Sequence, residues 1–124
     1  MASVEENRDH WRDYDWSRGG EEWSESWGGS EVQWNGAILP RIAPFLPCAN
    51  GLEIACGHGR WSRYLRPFCK RLILVDIVGD AIAACRLQFS GDRGVRCYQN
   101  DGRSLPMAAA ESLDFVFSFD SLVH

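Results

Sequence analysis

Beyond Asn50 the chain alternates short apolar runs with stretches of helical spacing, a rhythm that few architectures can hold. "GLEIAC" (51–56) is apolar on both faces apart from one acid, and "GRWSRYLRPF" (59–68) then sets Trp61, Tyr64, Leu65 and Phe68 on one helical face. "RLILVD" (71–76) reads as a second strand, and "GDAIAACRLQF" (79–89) as a second helix with Ile82, Cys85 and Phe89 along its inner stripe. "VRCYQND" (95–101) and "SLDFVFSFD" (112–120) supply a third and a fourth strand. Strands buried on both faces and separated by helices pair in parallel, joined by right-handed crossovers, so the fold class is α/β with helices on both faces of one sheet.

The residues ahead of this region are of a different kind. Up to about residue 30 they are polar and charged but carry Trp11, Tyr14, Trp16, Trp23 and Trp27, with Gly-Gly pairs at 19–20 and 28–29 interrupting any long helix. This segment reads as an aromatic arm (1–30) preceding the folded domain (31–124). At its junction, "EVQWNGAILPRIAPFLP" (31–47) puts Val32, Trp34, Ile38, Ile42 and Phe45 or Leu46 near helical spacing, with Pro40, Pro44 and Pro47 kinking or closing the helix. Of Trp16, Trp23, Trp27 and Trp34, the expectation is a cover over a pocket, with packing on the sheet face as the alternative.

A chain of 124 residues has room for one core, and 45% hydrophobic with 24% charged residues is the balance of a globular protein. A net charge of −4 speaks against a nucleic-acid backbone or an anionic membrane as partner. The first ten residues have neither the basic start nor the apolar stretch of a signal peptide, and no segment reaches membrane-spanning length, so a cytoplasmic protein is expected. Cys48, Cys56, Cys69, Cys85 and Cys97 are odd in number and lack Cys-x-x-Cys spacing, which favours reduced, buried thiols over a disulfide framework. His10, His58 and His124 are scattered, so no metal site is expected.

In an open parallel sheet, ligands bind beyond the carboxyl ends of the strands, where strand order reverses. After the first strand stands "ACGHGRW", whose Gly57 and Gly59 permit a tight turn and close backbone approach. After the second stands Asp76, nineteen residues beyond Gly57, a spacing suited to a carboxylate that takes ribose hydroxyls. After the third, "NDGRS" offers Asn100 and Asp101 to a base edge and Gly102 as a close backbone contact. Together these imply a nucleoside-containing cofactor. A dinucleotide fold wants Gly-x-Gly-x-x-Gly, and here the third position is Ser62 behind bulky Trp61, which counts against NAD or FAD without removing them. Glu53, four residues before Gly57 inside an apolar strand, is costly to bury without a purpose and suits a cationic amino-acid moiety such as that of S-adenosylmethionine.

In order and spacing, "LEIACGHGRWSRYL", "LILVD", "NDGRSLP" and "LDFVFSFDSLVH" resemble the successive motifs of class I S-adenosylmethionine-dependent methyltransferases, over Leu52 to His124. The preface "YDWSRGGEEWSESWGGSEVQW" is similar to the N-terminal extension of some small bacterial members. The resemblance implies a Rossmann-like fold in which Glu53 orients the methionine amino group and Ala55, Cys56, Gly57 and Gly59 form the loop under the cofactor. It implies that Asp76 holds the ribose, Ile77 flanks the adenine, Asp101 accepts from the adenine amino group beside Asn100 and Gly102, and Phe119 lines the floor near the methionine end. The family's loop often has glycine where Ala55 stands, so a slightly wider turn is expected. The activity implied is methyl transfer to a small-molecule acceptor; a non-catalytic cofactor-binding or interaction module and an NAD(P)-dependent reductase are the alternatives. His58 is expected to face solvent, and His124 is the candidate general base where the acceptor must lose a proton. The family sheet runs 3-2-1-4-5-7-6, so the chain is expected to be the cofactor-binding half of a longer enzyme, or to complete the edge of its fourth strand with a second copy or another chain.

Overall fold

The computed structural model describes residues 3–105 and 112–119. Four parallel strands form the sheet: β1 (Cys48–Ile54), β2 (Cys69–Asp76), β3 (Val95–Gln99) and β4 (Phe115–Phe117). Their order is β3-β2-β1-β4, with Leu52 opposite Ile73 on one side and Val116 on the other, and Leu74 opposite Cys97. The reversal of order falls between β1 and β4. This is the α/β Rossmann-like arrangement read from the alternation, with four strands of the sheet among the described residues.

The strand starts differ from the sequence expectation. β1 and β2 begin at Cys48 and Cys69, a few residues earlier than the apolar runs alone mark, because ladder pairing extends through polar residues at the solvated end of the sheet. The second crossover helix is α5 (Gly79–Gln88), burying Ala81, Ile82 and Cys85. The first is shorter than its hydrophobic pattern implies: α4 covers only Ser62–Leu65 before a 3₁₀ turn at Arg66–Phe68. Arg66 keeps α dihedrals, but Pro67 has no N–H to continue the ladder, and the end tightens into the 3₁₀ turn.

The segment before the sheet is continuously wound but not uniform. α2 (Ser30–Gln33) passes into a π turn at Trp34–Ile38, then α3 (Leu39–Ile42) and a 3₁₀ turn at Ala43–Phe45. In the π turn the Leu39 amide donates to the Trp34 carbonyl five residues back, just where Pro40 has no N–H to continue the ordinary ladder. Trp34 and Ile38 are buried, whereas Val32 is 54% exposed, two residues and so about 200° of helix away from Trp34. Phe45 is 65% exposed, its ring stacked on Phe115. The arm contributes α1 (Val4–Asp13), capped by Ser3 and Glu6 in a reciprocal capping box, and a 3₁₀ helix at Glu21–Trp27.

The core lies between the sheet and the helical layers: Leu52, Leu72, Leu74 and Val75 from the strands, Leu65 from α4, Ile82 and Cys85 from α5. Trp34 is part of this core, against Trp61, Tyr64 and Phe117, so its role is packing and not the cover that was its other reading. All five cysteines are free thiols; four are buried and Cys48 is half-buried. Among the described residues no helix is long and apolar enough to cross a membrane.

Candidate cofactor site

The carboxyl ends of β1 and β2 open into a cavity of about 620 Å³, within the range of small-molecule and cofactor sites. Its floor is the loop after β1. Ala55, Gly57 and Gly59 all take positive φ, at 57°, 55° and 85°. For Ala55 this is the left-handed region that glycine favours, so the alanine is accommodated as local backbone strain of about 1–2 kcal/mol. At Gly59 the positive φ favours glycine, and a Cβ there would also require the Gln88 side chain on α5 to shift.

Two carboxyl groups face this loop from below. Glu53 on β1 is 2% exposed and accepts a 2.5 Å hydrogen bond from the Ser62 hydroxyl. Burial pushes its pKa up to about 8; the Ser62 bond works against that and the Asp76 charge adds to it. Asp76, at the end of β2, accepts 2.9 Å bonds from the Gly57 and Val78 amides, one to each carboxylate oxygen. It thereby ties the β1 loop to the start of α5. Burial raises its pKa, against the pull of those two amides. A cavity floored by buried acids is a poor home for a further anion and a favourable one for a cation, which restores the ionised forms.

Most of the residues assigned from sequence meet here. Glu53, Ala55, Cys56 and Gly57 line the cavity with Asp76, Ile77, Asn100, Gly102 and Phe119. Two do not. Gly59 lies beneath, closed off by Gln88 and Cys85. Asp101 is exposed and lies outside the cavity lining, its Oδ1 accepting from the Arg103 and Ser104 amides at 2.8 Å each within the turn after β3. His124 lies outside the described residues.

The upper wall comes from the arm. Val4, Asn7 and Trp11 of α1 line the cavity together with Trp16 and Trp23. Val4 packs close to Gly102, and the Trp16 indole lies over Gly57. Trp16 also stacks on His58, ring centroids 4.4 Å apart and planes within 14°. His58 is therefore not the solvent-facing residue its loop position implied: it is half-buried beneath the indole and lines the cavity. Burial lowers its pKa, and its Nε2 is buried without a hydrogen-bond partner among the described residues. Of the four tryptophans expected to cover a pocket, Trp16 and Trp23 do so; Trp27 is 50% exposed and lines no part of it.

Sequence reasoning missed Arg60 and Trp61, which directly follow the glycines and join the lining. The Arg60 guanidinium sits 4.3 Å from the Trp61 ring and 5.4 Å from the Trp23 ring, and donates to Ser24, so it pins the arm to the cofactor loop. Their adjacency to the glycines was the available signal. For Val4 and Asn7 there was none, since nothing local fixes where α1 docks.

Residues 52–124 match a family described as "Methyltransferase domain". The chain belongs to this methyltransferase domain family. Nodulation protein S of Sinorhizobium fredii (strain NBRC 101917 / NGR234) is 45% identical over 40 residues, 32% of this chain and 18% of the relative. Among solved structures, N-methyltransferase NodS from Bradyrhizobium japonicum WM9, in complex with S-adenosyl-L-homocysteine, superposes with a TM-score of 0.64 at 19% identity, covering 93% of this chain and 55% of NodS. A phosphoethanolamine N-methyltransferase of Haemonchus contortus gives 0.57 at 17% identity, over 94% of this chain and 26% of its own length. At these identities the structural likeness speaks for the fold. The chain spans about half the length of NodS.

Proposed function

We propose that this chain binds S-adenosylmethionine and forms the cofactor half of a methyltransferase acting on a small-molecule acceptor. The observation that carries the reading is the pair Glu53 and Asp76: two buried carboxyl groups at the floor of one cavity, both with raised pKa and both on the first two strands of a methyltransferase-family sheet. Membership of the family supports it, as do the likenesses to NodS, named as an N-methyltransferase, and to a phosphoethanolamine N-methyltransferase.

The residues fit the cofactor's chemistry. Glu53, held neutral by burial, ionises when an ammonium group arrives, and the resulting pair is insulated from water. Asp76 spends one lone pair of each oxygen on a backbone amide, and the remaining lone pairs are available to ribose hydroxyls. Ile77, Asn100, Gly102 and Phe119 line the same cavity; Ile77 would flank the purine, Asn100 and Gly102 would edge it, and Phe119 would close the methionine end. The bound cofactor would supply an electrophilic sulfonium methyl group for transfer to an acceptor. What the protein adds is position: the glycine loop would fix one end and the carboxylates the rest, with Trp16 lying over Gly57.

Equilibrium binding tests the reading. The purified chain is expected to bind S-adenosylmethionine or S-adenosylhomocysteine in a 1:1 complex and to ignore NADH. Binding of NADH alone would place the chain with the nucleotide-dependent reductases instead.

A further inference from the structure

The opposite end of the sheet holds a second chemically competent feature. Cys48 and Cys69 are the first residues of β1 and β2 and are direct partners in the parallel ladder. Ladder partners stand about 5 Å apart at Cα, inside the window that a disulfide spans. Both side chains point to the same face, and their sulfurs are already 3.3 Å apart, Cys48 donating to Cys69. Gly51 makes this possible: a Cβ there would come within 2.8 Å of the Cys69 sulfur and 3.4 Å of the Cys48 sulfur.

We propose that Cys48 and Cys69 are a redox modification site that closes to a reversible disulfide under peroxide. The reaction balances with hydrogen peroxide as the named oxidant. The Cys48 sulfur attacks one peroxide oxygen, the O–O bond breaks and water leaves, giving the sulfenic acid. The Cys69 sulfur then displaces the hydroxyl from Cys48, the S–S bond forms, and the Cys69 proton departs with a second water. Two thiols lose two protons and two electrons, and peroxide becomes two waters.

The geometry sets the order of events. Cys48 is half-buried and reachable from solvent, whereas Cys69 is 3% exposed, its pKa pushed up by burial and by the Cys48 thiol beside it, so Cys48 is oxidised first and Cys69 resolves it. A second close pair serves as an internal contrast. Cys56 and Cys85 lie 3.7 Å apart, but both are buried and both donate to the Gly57 carbonyl, which keeps them out of the reaction. The closed bond would staple β1 to β2 around residues 49–68, the whole cofactor loop included, at the strand ends remote from the cavity.

The test uses the full chain with stoichiometric hydrogen peroxide, then alkylation and peptide mapping without reductant. The expected product has lost two hydrogens, carries a Cys48–Cys69 linked peptide, leaves Cys56 and Cys85 alkylated, and melts about 10 °C higher, the gain that a loop of this length gives. Dithiothreitol reverses both changes, and Cys48→Ser shows neither. A linkage at Cys56–Cys85, or sulfinic acid on Cys48 with no cross-link, overturns the proposal. Neither readout involves the cofactor, so the outcome stands apart from the functional reading.

Discussion

Glu53 gives the sharpest handle on the site because its burial sets a pH dependence that can be isolated. Its carboxyl titrates near 8 in the folded chain, against an ordinary value of 4.5. A folded pKa above the unfolded one means that the stability contribution is complete below about pH 4.5 and is lost as pH rises through about 8. Between about pH 5.5 and 7.5 the unfolded chain has released this proton and the folded chain has kept it, so stability falls by about 1.4 kcal/mol per pH unit. Across the full window the loss is about 5 kcal/mol, a sizeable part of what an ordinary domain has in total. The perturbation is Glu53→Gln, which keeps the shape and an acceptor for the Ser62 hydroxyl while removing the titration. Thermal melts of both proteins at half-unit steps from pH 5.5 to 7.5 cancel the remaining groups in the difference. His58 among them has the opposite sign, its lowered pKa costing stability as pH falls. The wild-type melting temperature is expected to drop relative to the variant by about 5 °C per pH unit. Parallel curves for the two proteins would refute the reasoning, since they would mean that Glu53 is already ionised in the folded chain.

Other expectations follow from the same geometry. Asp76→Ala leaves the Gly57 and Val78 amides without acceptors, so denaturant melts should show a loss of about 1–3 kcal/mol, and affinity for S-adenosylhomocysteine measured well below the melting temperature should fall at least tenfold. Ala55→Gly relieves the left-handed strain at the cost of chain entropy in the unfolded state, and a net change between zero and about 1 kcal/mol in favour of the variant is expected in the same assay. Trp16→Ala uncovers Gly57 and His58; cofactor affinity should weaken, and the His58 pKa, followed by NMR, should rise towards 6.5 as its burial is lost. Leu74→Ala, in a strand with no exposure at that position, should cost about 3–5 kcal/mol without changing the cavity residues.

The strands and the site's lower half were legible in the sequence because both rest on local signals, whereas the order of the strands came from the family resemblance. Strands buried on both faces announce themselves as apolar runs, and an acid inside one of them, Glu53, stands out at once. The glycine turn and Asp76 lie at strand ends, where parallel topology puts a ligand. What was not legible depended on distant docking. Trp34 and Trp16 look alike as sequence, yet one sits in the core against Trp61 and the other over the cofactor loop, because the π turn and the Gly-Gly breaks set where each segment lands. Asp101 lies outside the cavity lining for a related reason: a short acid after a strand serves a turn as readily as a base, and here its Oδ1 accepts from the Arg103 and Ser104 amides. His58 faced inward only because Trp16 came from 42 residues away to cover it.

The central claim is that this cavity holds S-adenosylmethionine through an acid kept neutral until the cofactor arrives, and calorimetry in buffers of different ionisation enthalpy tests it directly. At pH 7, about one unit below the Glu53 pKa, the expected result is 1:1 binding of S-adenosylhomocysteine with release of about nine-tenths of a proton, and no heat with NADH. Binding of NADH in place of S-adenosylhomocysteine, or of S-adenosylhomocysteine with no proton released, would contradict it.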